Sequence, residues 1–139
     1  MIAVDTSVLV DYIGDGPQAE AAEGALRAAL SIGPVVACEV VLSEVVAGLG
    51  HGDIVMETLD AVGIGFSPLE QRAAVRAGEM QRRYKERLRR GSETTAVRRS
   101  VPDFLIGAHA LLQCQALITR DAGFFRDYFK GLKVIVPKA

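Results

Sequence analysis

The chain has no tryptophan and only two cysteines, Cys38 and Cys114, both in apolar segments. Two cysteines do not make a disulfide framework, and no zinc-ligand spacing is present, so buried free thiols in a reducing compartment are expected. Basic residues are almost absent from the first half: residues 1–70 contain a single Lys or Arg, Arg27. No basic segment precedes the apolar stretch of MIAVDTS, so this start is not expected to be a signal peptide. No apolar run approaches the ~18 residues of a membrane span. A soluble, cytoplasmic protein without a membrane partner is expected. The sequence also lacks a nucleophilic-serine motif and a phosphate-cradling glycine loop.

What is present is apolar and segregated by charge. Of 139 residues, 50% are hydrophobic, too many for a disordered chain and enough for a single domain over residues 1–139 with its own core. The net charge of -1 hides a basic stretch, Arg82, Arg83, Lys85, Arg87, Arg89, Arg90, Arg98 and Arg99. It reads either as a polyanion-binding surface beside an acidic site or as a solvated helix face.

Short apolar runs at residues 2–4, 35–37, 64–66, 116–119 and 134–136 read as strands. Helical patterns fill the intervals: residues 6–13, 18–31, 39–49, 53–62, 69–90, 101–114 and 122–129, with a polar loop over 91–100. Gly14-Asp15-Gly16-Pro17, Gly33-Pro34 and Gly50-His51-Gly52 punctuate them. Strands that alternate with helices imply a parallel α/β sandwich, whose sites form at the carboxyl ends of the strands.

Four segments place an acid beside an apolar run: Asp5 in VDTSVLVDYI, Glu44 in LSEVVAGL, Asp103 in PDFLIGAHAL and Asp121 in LITRDAGFF. Burying a lone carboxylate costs several kcal/mol, so each must be hydrogen-bonded, paired or bound to a cation. Asp5 can cap the next helix, Asp103 can form a capping box with Ser100, and Asp121 can be a turn residue. Glu44 shares a face with Val40, Val41, Ala47 and Gly48 and is expected to look inward. Thr119, two residues before Asp121, can orient a carboxylate or serve as an ordinary strand residue, and Thr6 and Ser7 can donate to Asp5 or cap. Asp11 is expected at a solvated edge. His51 and His109 have no ligand partners and read as structural or exposed. Four converging acids would need a divalent cation, which suits phosphodiester hydrolysis.

Taken in order and spacing, the four segments resemble those of the PIN-domain ribonucleases, and more narrowly the VapC-type toxins of bacterial and archaeal toxin–antitoxin pairs. The resemblance spans nearly the whole chain. It implies a three-layer α/β/α sandwich around a central, mainly parallel sheet and a Mg²⁺- or Mn²⁺-dependent endoribonuclease. By position, Asp5, Glu44, Asp103 and Asp121 match the acidic quartet, Asp5 and Asp103 match the residues that hold the metal, and Thr119 matches a supporting hydroxyl, to which Thr6 adds a second. It further implies a homodimer, an RNA substrate and a cognate antitoxin that inserts into the active-site groove. Arg89, Arg90, Arg98 and Arg99 are the candidate RNA-contacting residues. The chain departs from the pattern in two places: Glu39 stands where a small hydroxyl residue is expected, and residues 82–99 are unusually basic. The competing readings are a phosphoaspartate phosphatase, a response-regulator receiver and a PIN-like module that binds RNA or protein without cutting. The phosphatase would need an acid where Ser7 stands. The receiver would need an acidic pair after the first strand and a lysine, absent before Lys85.

Overall fold

A computed structural model describes residues 1–91 and 99–138. Five strands form one sheet: β1 (Ile2–Val4), β2 (Val35–Ala37), β3 (Ile64–Phe66), β4 (Ala116–Ile118) and β5 (Lys133–Ile135). Their order is β3-β2-β1-β4-β5 and every pairing is parallel. The expected mainly parallel sheet is thus wholly parallel. Seven helices flank it among the described residues: α1 (Thr6–Ile13), α2 (Ala19–Ile32), α3 (Glu39–Leu49), α4 (Gly52–Val62), α5 (Gln71–Arg89), α6 (Val101–Gln113) and α7 (Ala122–Tyr128). The expected helix at 69–90 starts two residues later, because Leu69 and Glu70 belong to the loop that leads into it. Most of the polar loop expected at 91–100 lies outside the described residues.

The strands are short and apolar because helices cover both faces. β1, β2 and β4 are buried throughout, whereas the edge strands β3 and β5 are partly exposed. The order reverses direction beside β1: the chain builds outward to β2 and β3, then returns to β4 on the other side. Crossovers on opposite faces leave a crevice at the carboxyl ends of β1 and β4. Asp5 ends β1, and its N–H donates to the Ile118 carbonyl at 2.9 Å, fixing the two strand ends to each other.

Behind the crevice, α5 and α6 pack together. Ala73, Ala77 and Tyr84 form the buried stripe of α5. Arg76, on the same helix, pairs with Glu79. Phe104 of α6 contacts the rings of Tyr84, Phe124 and Tyr128 at centroid separations of 5.2–5.7 Å. Gly107, one turn further on, lies against Phe129 so closely that an added Cβ would overlap the ring.

The loop after β3 is pinned by polar groups. Gln113 donates to the Pro68 carbonyl at 2.9 Å and accepts the Glu70 N–H at 2.8 Å. Glu39 accepts the Leu69 N–H at 2.8 Å, which accounts for an acid at that position. His109, fully buried, shares a 3.0 Å hydrogen bond with the Ser67 hydroxyl, so its role is structural. Burial holds its pKa below the ordinary 6.5, against the opposing pull of Glu39, the Ser67 backbone and Glu70. Above pH 6.5 the imidazole is neutral whether the chain is folded or not. Below it, the unfolded chain binds a proton that the folded one refuses, so stability falls with pH. The melting temperature is therefore expected to drop between pH 7.5 and pH 5.5, and to drop less in His109→Gln. An equal drop in the variant would remove His109 as the cause.

Candidate active site

Four elements bring carboxylates to the crevice. Asp5 caps α1 from the end of β1: its Oδ1 accepts the Thr6 N–H at 2.8 Å. Its Oδ2 accepts the Thr119 hydroxyl at 2.7 Å and the Ser7 hydroxyl at 3.4 Å. Asp5 is thus both the cap that the sequence allowed and a buried wall of the cleft. Glu44, on α3, accepts the Thr6 hydroxyl at 2.7 Å. It is half-buried: Val41 on its face is in the core, but Ala47 and Gly48 are exposed. The inward look expected of Glu44 is therefore a look into an open cleft.

Asp103 forms the reciprocal capping box with Ser100, its Oδ2 accepting the Ser100 N–H at 3.1 Å. Asp121 precedes α7, and its N–H donates to the Thr119 hydroxyl at 3.0 Å. Thr119 is fully buried and links the two strand ends: it receives from Asp121 and gives to Asp5. The hydroxyl of Thr119 is thus hydrogen-bonded to two residues of the quartet, which an ordinary strand residue would not require. Asp5, Glu44, Asp103 and Asp121 line one cleft of about 540 Å³ together with Thr6, Ser7, Val10 and Arg120. A cavity of about 380 Å³ between α1, α2 and α4, lined by Tyr12, Leu26, Leu30 and Val62, holds none of the four acids.

Burial is the main cause that raises the pKa of Asp5 above its ordinary 3.8; the Thr119 and Thr6 hydrogen bonds oppose it, and Asp103 and Glu44 add repulsion. The donor set is all carboxylate and hydroxyl oxygen, the chemistry of Mg²⁺ or Mn²⁺. Among the described residues, no three acids stand as a ready ligand cluster. Each is instead held by its own donor. This fits an ion that retains several waters and takes only one or two protein carboxylates directly, as Mg²⁺ does.

Arg120 and Asp11 were not assigned to the site from sequence, and Arg99 was assigned to RNA contact rather than to an acid. Arg120, between Thr119 and Asp121, lines the cleft and pairs with Asp11 at 2.6 Å. Asp11 is therefore not at a solvated edge: its side chain is 14% exposed and is tied to the rim by Arg120. Arg99 pairs with Asp121. The sequence signal for Arg120 was a basic residue directly before Asp121; Arg99, beside Arg98 and Ser100, carried none for its acid. Arg89 and Arg90 are exposed at the end of α5, where Arg90 lies 4.0 Å from Glu86. Arg98 lies outside the described residues.

A parallel α/β domain with a carboxylate-lined crevice at its switch point defines the class of protein. Within that class, the chain belongs to the PIN domain family, whose model matches residues 2–130. Among solved structures it is similar to VapBC2 from Rickettsia felis bound to a DNA fragment from its promoter, with a TM-score of 0.71, 19% identity, and coverage of 99% of this chain and 100% of that one. It is also similar to a toxin–antitoxin complex from Klebsiella pneumoniae, with a TM-score of 0.64, 23% identity, and coverage of 99% and 98%. A third is VapC20 of Mycobacterium tuberculosis, described as a sarcin-ricin loop cleaving toxin, with a TM-score of 0.61, 19% identity, and coverage of 96% and 99%. At these identities the likeness is one of fold. No curated protein matches the chain significantly by sequence. PIN domains are typically nucleases and generally metal-dependent.

Proposed function

We propose that the chain is a single-domain, Mg²⁺- or Mn²⁺-dependent endoribonuclease of the VapC type, the toxin of a toxin–antitoxin pair. The observation that carries this reading is the meeting of Asp5, Glu44, Asp103 and Asp121 in one cleft at the sheet's switch point. Asp5 and Asp103 would hold the cation. A bound divalent ion lowers the pKa of water and offsets charge developing on the scissile phosphate. The Thr119 hydroxyl keeps Asp5 aimed, and Thr6 keeps Glu44 aimed through Oε1, leaving Oε2 to accept a proton from the attacking water. In this reading Arg89 and Arg90, exposed at the end of α5, meet the RNA backbone outside the cleft. The partners in this reading are the RNA, a cognate antitoxin and a second copy of the chain, all in the cytoplasm. Solved relatives captured as toxin–antitoxin complexes support the antitoxin, and no helix of the described residues is long and apolar enough to cross a membrane.

The test is cleavage of RNA by the purified chain. EDTA is expected to abolish it, and Mg²⁺ or Mn²⁺ to restore it. Cleavage that survives complete chelation would sink the metal mechanism. RNA binding without cleavage under any metal would favour the non-catalytic module.

A further inference from the structure

Arg99 has no part in the mechanism above, yet it is built into the site. It stands just before Ser100 and α6. Its guanidinium pairs with Asp121 and lies 4.4 Å from the centre of the Phe124 ring, and its side chain is only 18% exposed. Its backbone N–H donates to the Tyr84 hydroxyl at 3.1 Å. Tyr84 and Phe124 both pack on Phe104 in the aromatic cluster behind the cleft. An exposed ion pair contributes little, because solvent screens it and two long side chains must be ordered. Here the arginine is ordered by its stacking and largely withdrawn from solvent, although Asp121 itself stays 40% exposed.

The pairing divides the quartet. Asp5 and Glu44 accept hydrogen bonds from hydroxyls and a backbone N–H, and Asp103 from the Ser100 N–H. Among the described residues, Asp121 is the quartet acid that carries a cation of the protein's own. Arg99 occupies Asp121 Oδ2 and sets a positive charge, fixed by packing, against that carboxylate, so a metal ion at Asp121 would meet like-charge repulsion. The backbone of Asp121, independently of its carboxylate, fixes the Thr119 hydroxyl that aims Asp5.

We propose that Arg99 is the internal counter-ion of the acidic site, which withholds Asp121 from the ligand set and leaves the divalent cation to Asp5 and Asp103. The inference rests on the metal-dependent reading above. It assigns Arg99 to the acid and not to RNA.

The test is Mn²⁺ binding to the whole metal-free chain, followed by calorimetry and by the paramagnetic resonance signal of free Mn²⁺. Arg99→Gln removes a positive charge and frees a carboxylate, so it is expected to tighten Mn²⁺ by about tenfold. The double variant Arg99→Gln/Asp121→Asn removes both partners and no ligand, so its affinity is expected to return to within about threefold of wild type. If Asp121 ligates the ion in the wild-type chain, the double variant will lose affinity, and the inference fails. Arg99→Lys keeps the charge but not the flat fork over Phe124. It is expected to bind Mn²⁺ more tightly than wild type and less tightly than Arg99→Gln, and it serves if the glutamine variant does not fold. Asp5→Asn separates the two readings. No Mn²⁺ on the wild-type chain at millimolar ion overturns the metal reading and the Arg99 inference with it. Mn²⁺ that Asp5→Asn abolishes but Arg99→Gln and Arg99→Lys leave unchanged overturns the Arg99 inference alone.

Discussion

Asp5→Asn is expected to lower the rate of RNA cleavage by about 10²–10³-fold while the chain stays folded, a loss typical of removing one preorganised charge from an active site. Asparagine keeps the size of the side chain and can still cap α1 through its carbonyl oxygen. It loses the charge, and it loses one of two acceptors, since Asp5 takes the Thr6 N–H on one oxygen and the Thr119 hydroxyl on the other. Thermal unfolding of the metal-free variant gives the second readout. The pKa of Asp5 is raised in the folded chain, so above that pKa the charged carboxylate is less favoured folded than unfolded and works against stability. Asparagine removes that burden at neutral pH, against about 1 kcal/mol for the altered hydrogen bond. The melting temperature is expected to hold or rise. Wild-type cleavage in this variant would show that Asp5 is only a helix cap.

Gly107→Ala is expected to be the more damaging change to the fold. Glycine inside a helix ordinarily costs up to about 1 kcal/mol relative to alanine, so at an open site the substitution would stabilise α6. Here the new methyl meets Phe129 at three ring carbons, and that ring is buried and packed against Phe125. Overpacking of this kind costs about 1–3 kcal/mol, and a rigid aromatic neighbour puts it at the upper end. The difference leaves a net loss of about 2 kcal/mol, or roughly 8 °C in melting temperature at this chain length. Adding Phe129→Leu should recover part of it. A melting temperature that rises in Gly107→Ala would mean that Phe129 swings aside freely and that the close approach carries no strain.

Much of the architecture was legible because local signals agreed with one another. Asp5-Thr6-Ser7 marks a strand end and a helix start. Gly14, Gly33 and Gly50 stop helices where the apolar period stops. The run Ser100-Val101-Pro102-Asp103 starts α6 and forms the capping box it suggests. The strands are brief and apolar, so they read as buried and parallel. Four acids at the right intervals then suggested a site, because strand ends in such a fold converge.

Long-range partners were a different matter. Arg99 and Asp121 are 22 positions apart, Arg120 and Asp11 109 apart, and His109 and Ser67 42 apart. A sequence assigns charge to a residue but not the distance to its partner, so Asp11 looked solvated and Arg99 looked available to RNA. The same limit applies to Gly107, whose absent side chain makes sense only once Phe129 is packed over it. The sequence by itself determined the elements, their order along the chain and the four acids, since each depends on neighbours within a few residues; the parallel sheet followed only from the alternation of strands and helices. Only the tertiary structure decided which acid faces a cation, which hydroxyl aims which carboxylate and how deep each group lies, because those energies depend on distance and desolvation between segments that the chain brings together only on folding.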